Sequence, residues 1–151
     1  MQCFEDFEIG EQLVTPGRTV TEADIVAFAA LTGDYASIHT DAVFAASTNF
    51  GQRVAHGLLG LTFAQALVWR VTSPDSARLA SLGWNDWRFH APIAIGDTIH
   101  VTCTVTAKRR GATDPSRAVI TERLDVVNQD GTVVQSGDHL TLVPVRGEGT
   151  S

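Results

Sequence analysis

Cysteine is scarce: Cys3 and Cys103 are the only two in the chain. They have neither metal-ligand nor disulfide-framework spacing, which excludes a stapled scaffold and fits a reducing compartment. Positive charge is also short, with 11 Lys and Arg against 17 Asp and Glu, a net charge of −6. No basic run exceeds Lys108-Arg109-Arg110. Nucleic-acid binding needs a basic face, so that class of partner is not expected. Long apolar runs are missing as well. The most apolar stretch is interrupted by Thr62 and Gln65 and ends at Trp69-Arg70, too short and polar to cross a bilayer. The start, Met1-Gln2-Cys3-Phe4-Glu5-Asp6, has neither a positive n-region nor an apolar run. No secretory signal is expected there, and the expected location is the cytoplasm. There is no internal repeat, linker or low-complexity tract apart from the polar tail Gly147–Ser151, read as flexible.

What is present suffices for one globular domain over residues 1–151: 44% hydrophobic and 19% charged residues in a length that can bury a single core. Phe4–Val14 mixes acidic and apolar residues around Gly10 and reads as a loosely packed segment. Arg18-Thr19-Val20 reads as a short strand. Thr21-Glu22-Ala23-Asp24 has the form of a capping box, and Ile25, Phe28 and Ala29 follow at helical spacing. That helix stops at Gly33, a residue suited to a left-handed helix end. Asp41 can cap a short helix over Ala42–Ser47, broken at Asn49-Phe50-Gly51. From His56 or Gly57 to about Val71 runs the most apolar helix, apolar around most of its circumference, which predicts burial on several sides. Ser73-Pro74-Asp75-Ser76 is predicted to end it.

The rest of the chain reads as strands. Leu82–Phe89 carries three aromatics, and residues 99–108 alternate apolar and polar. Ala118–Asn128 and Thr132–Val143 follow, joined by a turn at Gln129-Asp130-Gly131. One buried helix followed by antiparallel strands predicts an α+β arrangement, a curved sheet wrapped around a long central helix, with short helices before it. Such a sheet leaves an edge, and pairing two edges across a two-fold axis covers it, so a homodimer is expected.

Asp34 and His39 stand five residues apart in the short connection between two helices. A carboxylate and an imidazole that converge can take a proton from water and return one. Spacing alone also allows a helix cap and a loop histidine. Gly57 begins the central helix, where unpaired N–H groups and the positive dipole end favour developing negative charge; close helix–sheet packing would need a glycine equally well.

Phe28, Leu31, Thr32, Gly33, Asp34, Ile38, His39 and Ala45 fall in register with the signature of the MaoC-like dehydratases, the family of (R)-specific enoyl-CoA hydratases. Phe50–Leu59 resembles the helix start that follows that signature, and Phe89–Asp97 resembles its strand–Pro–Gly-Asp–strand passage. The resemblance runs from roughly Ile9 to Val143, with one departure: the usual Asn-Pro of the signature is Ala36-Ser37.

The resemblance implies a hot-dog fold and a hydratase/dehydratase that interconverts a trans-2-enoyl-CoA and an (R)-3-hydroxyacyl-CoA. It gives Asp34 the role of base, His39 that of partner in proton delivery, and the Gly57 N–H that of oxyanion donor. No cofactor is implied beyond the coenzyme A of the substrate, and no metal. Arg53 is a candidate for the substrate's phosphates, since guanidinium binds phosphate through two hydrogen bonds. His56 adjoins the oxyanion position. Thr62 and Gln65 are candidates for the acyl pocket, with a structural hydrogen bond as their other reading. Two further readings stay open: an acyl-CoA thioesterase of the same fold, and a non-catalytic acyl-CoA-binding subunit.

Overall fold

The computed structural model describes residues 2–72 and 78–147. The predicted helix stop at Ser73–Ser76 and the tail beyond Gly147 lie outside the described residues. Among the described residues a 3-10 turn (Phe4–Asp6) is followed in chain order by four α-helices and six strands: β1 (Gln12–Val14), β2 (Arg18–Thr19), α1 (Glu22–Thr32), α2 (Ser37–Thr40), α3 (Ala42–Ala46), α4 (Gly57–Val71), β3 (Ala80–Phe89), β4 (Thr98–Arg110), β5 (Arg117–Val127) and β6 (Val133–Pro144). All pairings are antiparallel, in the order β1-β4-β5-β6-β3 with β2 also on β4. The sheet is open, and α4 lies across it: the α+β arrangement that the alternation of residues 99–108 and the apolar run before it led us to expect.

Local sequence explains the elements that frame the connection. Thr21 Oγ1 accepts from the Asp24 N–H at 3.3 Å while Asp24 Oδ2 accepts from the Thr21 N–H at 2.8 Å, so the capping box forms. Gly33 sits at φ 78° and donates its N–H to Ala29 O, closing α1 in the left-handed conformation. In β4, Ile99, Val101 and Cys103 point inward, against a core in which Leu59, Phe63, Leu67 and Val68 of α4 are buried. Two expectations need correction. The central helix is buried on one face only: Leu58 is 60% exposed and Trp69 39%. The sheet reaches only the stripe 59, 60, 63, 64, 67 and 68, and an apolar residue off that stripe stays outside whatever its hydrophobicity. The N-terminal segment, read as loosely packed, is anchored. Phe7 is 3% exposed among Val105, Ala118, Ile120 and Val143, and Lys108 Nζ donates to the carbonyls of Phe4 and Phe7. Lys108-Arg109-Arg110 accordingly ends strand β4.

One irregularity matters for the site. Asn85 pairs with Asp138 and Arg88 with Ser136, which leaves Asp86 and Trp87 both opposite Gly137. Asp86 has φ 49°, and the resulting bulge turns the Trp87 indole inward over Gly137, where a Cβ would lie 2.6 Å from the ring.

Candidate active site

The Asp34–His39 connection is rigid for reasons that can be named. Thr32 Oγ1 donates to Phe28 O and accepts from the Asp34 N–H; Asp34 Oδ1 accepts from the Ala36 N–H at 3.2 Å. Ala36 supplies no side-chain cap to α2, where an Asn would. Thr40 compensates, its hydroxyl lying 3.1 Å from Tyr35 O and 3.2 Å from Ala36 O. Asp41 then caps α3 with two bonds of 2.9 Å, from the N–H groups of Val43 and Phe44. The segment keeps its shape without Asn-Pro.

His39 is buried, and its Nδ1 lies 2.7 Å from Val54 O. A carbonyl only accepts, so Nδ1 carries the proton, and Nε2 is left with a lone pair in the neutral ring. His56, also buried, stacks on His39 with ring centroids 3.8 Å apart, and Phe28 tilts against it at 5.0 Å. By the same logic His56 Nε2 donates to Asp34 O at 2.9 Å, which ties the backbone of the Asp34–His39 connection to the start of α4. His56 Nδ1 is buried with no partner among the described residues. One ligating atom from each of Asp34, His39 and His56 lies within 4.8 Å of the others, room enough to share a water or a cation. With those tautomers each neutral imidazole keeps one lone pair, His39 on Nε2 and His56 on Nδ1.

Gly57 opens α4, and two contacts fix its turn to the sheet. Phe89 and Gln135 are cross-strand partners on β3 and β6. A Cβ on Gly57 would meet the Phe89 ring at 2.8 Å, and one on Gly60 would meet Gln135 Nε2 at 2.3 Å. A side chain at either position would displace the Phe89 ring or the Gln135 amide, and the two positions lie about one turn apart on one helix face. Two cavities open here. One of about 420 Å³ is lined by His39, Phe50, Gly57, Phe89, His90 and Gln135 among others. One of about 260 Å³ is lined by Phe28, Asp34, His39, His56, Gly57 and Leu58 among others.

Of the residues singled out from sequence, the fold brings Asp34, His39, His56 and Gly57 together. Arg53, Thr62 and Gln65 line neither cavity. Arg53 pairs with Glu22 at 2.6 Å, Thr62 is exposed and its hydroxyl bonds back to Leu58 O, and Gln65 is half-buried in mid-helix. Phe89, Gln135 and Gly60 were missed. The available signal was the three-residue spacing of Gly57 and Gly60, which marks two hollows on one face.

A family model described as "MaoC like domain" matches residues 6–127. The chain belongs to the MaoC-like family. It is 33% identical over 148 residues to the (R)-specific enoyl-CoA hydratase of Rhodospirillum rubrum, covering 97% of this chain and 95% of the relative. It is 42% identical over 105 residues to Protein MaoC of Klebsiella aerogenes, where the match covers 70% of this chain but only 31% of that longer protein. The solved MaoC-like dehydratase from Rhodospirillum rubrum superposes with a TM-score of 0.86 at 28% identity, over 97% of this chain and 99% of the other. A Mycobacterium tuberculosis protein described as a double hot-dog fold shares the fold at TM-score 0.81 and 21% identity, over 99% of this chain and 46% of that one. This MaoC-like protein therefore has the hot-dog fold. No helix of its described residues is long and apolar enough to cross a membrane.

Proposed function

We propose that this MaoC-like protein is a hydratase/dehydratase that interconverts a trans-2-enoyl-CoA and an (R)-3-hydroxyacyl-CoA. The observation that carries the reading is the convergence of two proton acceptors, Asp34 and His39 Nε2, with the first turn of α4 on one cavity. A water between the two acceptors has both protons engaged and its oxygen lone pair free to attack. In hydration the oxygen bonds to C3, Asp34 takes the released proton, and the C2=C3 electrons move onto the thioester oxygen. The Gly57 N–H stabilises that enolate, an interaction worth about 10²–10³ in rate for one oxyanion donor. The enolate collapses as the Asp34–His39 pair returns the proton to C2, so one water is added and nothing else is consumed. The substrate brings coenzyme A, and no step calls for a resident cofactor or metal. Relatives named (R)-specific enoyl-CoA hydratase and 3-hydroxybutyryl-CoA dehydratase support the same chemistry.

The reading extends to a cytoplasmic homodimer. β3 ends the sheet, and Leu82, Phe89 and Leu58 stand more than half exposed. A second copy paired along β3 would cover them.

The test is purified protein with crotonyl-CoA and a panel of enoyl-CoA thioesters of graded length and branching. Loss of the enoyl absorbance without free thiol supports hydration. Release of free coenzyme A would make the protein a thioesterase. Binding with neither change would make it a non-catalytic acyl-CoA carrier.

A further inference from the structure

We infer that Gln135 is a positioning residue of the reaction: its amide, seated in the Gly60 hollow and oriented by Trp87, fixes the helix turn that presents the Gly57 N–H. The inference rests on the hydratase reading and adds a residue that acts through the start of α4.

Gln135 is 2% exposed, yet it is a polar side chain facing an apolar helix, and both ends of its amide are engaged. Trp87 Nε1 lies 3.2 Å from Oε1, and Nε2 lies 3.0 Å from Gly57 O. The indole N–H can only donate and the Gly57 carbonyl can only accept, so the two neighbours fix which way the amide points. The amide cannot rotate without breaking both bonds. It occupies the space a Cβ at residue 60 would fill, 2.3 Å from Nε2, so the helix surface is recessed where the amide enters. The bond to Gly57 O comes from outside the helix, at its first residue, where fraying is easiest. It fixes the peptide plane after Gly57 just as the Phe89 ring blocks displacement from the other side.

The chain of causes starts in the edge strand. The Asp86–Trp87 bulge opposite Gly137 brings the indole inward, the indole orients Gln135, and Gln135 holds the helix end. An oxyanion donor is effective when it needs no reorganisation as charge develops, and a displacement of about 1 Å costs up to about 10²-fold in rate.

The experiment compares wild type with Gln135→Met, Gln135→Glu and Trp87→Phe on the best enoyl-CoA of the panel. Gln135→Met keeps the volume and removes both hydrogen bonds; kcat is expected to fall ten- to a hundredfold with KM changed less than threefold. Gln135→Glu keeps the acceptor for Trp87 but sets a carboxylate oxygen against the Gly57 carbonyl. Only its protonated form can donate there, so its kcat relative to wild type is expected to rise as pH is lowered. A purely structural role would not produce that rise. Trp87→Phe, the mildest change, is expected to lower kcat threefold to tenfold and keeps the test decisive if Gln135→Met does not fold. Wild-type kcat in all three variants, with only the melting temperature lowered, would overturn the inference while leaving the hydratase reading in place. An inactive wild type across the panel would overturn the hydratase reading and with it the catalytic use of Gln135.

Discussion

The two ends of α4 each carry a buried polar cluster, and they differ in what is left unbound. At the C-terminal end, Arg78 makes a two-pronged ion pair with Glu122, one bond of 2.6 Å from Nη2 to Oε1 and a shorter one from Nη1 to Oε2. His139 is 1% exposed, its Nε2 lies 2.8 Å from Ser81 Oγ and its Nδ1 3.2 Å from Thr141 Oγ1, and Trp84 stacks on its ring. The carboxylate and the imidazole there are taken up by protein partners, and the buried atoms left over, Arg78 Nε and Trp84 Nε1, are donors. Burial with the Glu122 charge beside it pushes the Cys103 thiol far up, which keeps it inert. A cavity of about 240 Å³ lined by Arg78, Cys103 and Glu122 opens at that end too, whereas the cavities at the N-terminal end are lined by Asp34, His39 and Gly57, with His39 Nε2 and an Asp34 oxygen left as free acceptors. Burial and charge alone point to the C-terminal end. A free proton acceptor next to open space is the better guide to acid–base chemistry, because an acceptor already taken up by protein has nothing to offer a water or a substrate.

The largest effects should separate the two clusters completely. Asp34→Asn and His39→Gln should each lower kcat by about 10²–10⁴-fold, the range for a general acid–base group, while melting temperatures stay within a few degrees of wild type. Steady-state kinetics beside calorimetry checks both halves, and near-normal turnover in either variant would remove the assigned role. Glu122→Gln and Arg78→Met should behave in the opposite way. Each strands a buried partner and should cost about 3–5 kcal/mol of stability by urea unfolding, with kcat per folded molecule within twofold of wild type. Replacing both together by apolar residues should cost less than either alone, since the charge left behind causes most of the loss.

A smaller effect sharpens the contrast through pH. Burial holds the His139 imidazole below its ordinary value, with Arg78 helping and the Glu122 carboxylate opposing. The unfolded chain therefore binds a proton at a pH where the folded one does not. Stability from this site is fully present above about pH 6.5 and is lost as pH falls below that value toward the depressed folded pKa. Urea midpoints measured from pH 7.5 to 5.5 should decline, and His139→Gln should flatten the decline. An unchanged slope would show that His139 takes up its proton without cost.

Much of this architecture was legible because it is local. The Thr21–Asp24 box, the Gly33 stop, the Asp41 cap and the β4 alternation depend on neighbours a few residues away, and each formed as read. The Gly57 start of α4 was legible for the same reason. What escaped depends on pairing across the sheet. Glu122, Gln135 and His139 lie on strands that were recognised, yet only the register of β5 and β6 reveals that these polar residues face inward. The single-face burial of α4 was missed because composition counts apolar residues without knowing where the sheet stops.

The smallest predicted effect concerns Ala36-Ser37, the one departure from the family signature. Ser37 is the first residue of α2, where proline's fixed φ and missing N–H fit without loss. Ala36 before it sits at φ −54° and ψ 138°, the extended conformation that a following proline requires. Ser37→Pro should therefore raise stability by about 0.5–1 kcal/mol through the unfolded chain, with kcat within twofold. Ala36→Asn should add a cap bond to α2 of similar worth. If Ser37→Pro instead lowered kcat severely, the loop would need freedom that its present hydrogen bonds do not suggest. The N-terminal end of α4 would then differ from the C-terminal end in mobility as well as in free acceptors. Unfolding curves and kinetics on that one variant distinguish a preorganised site from a mobile one.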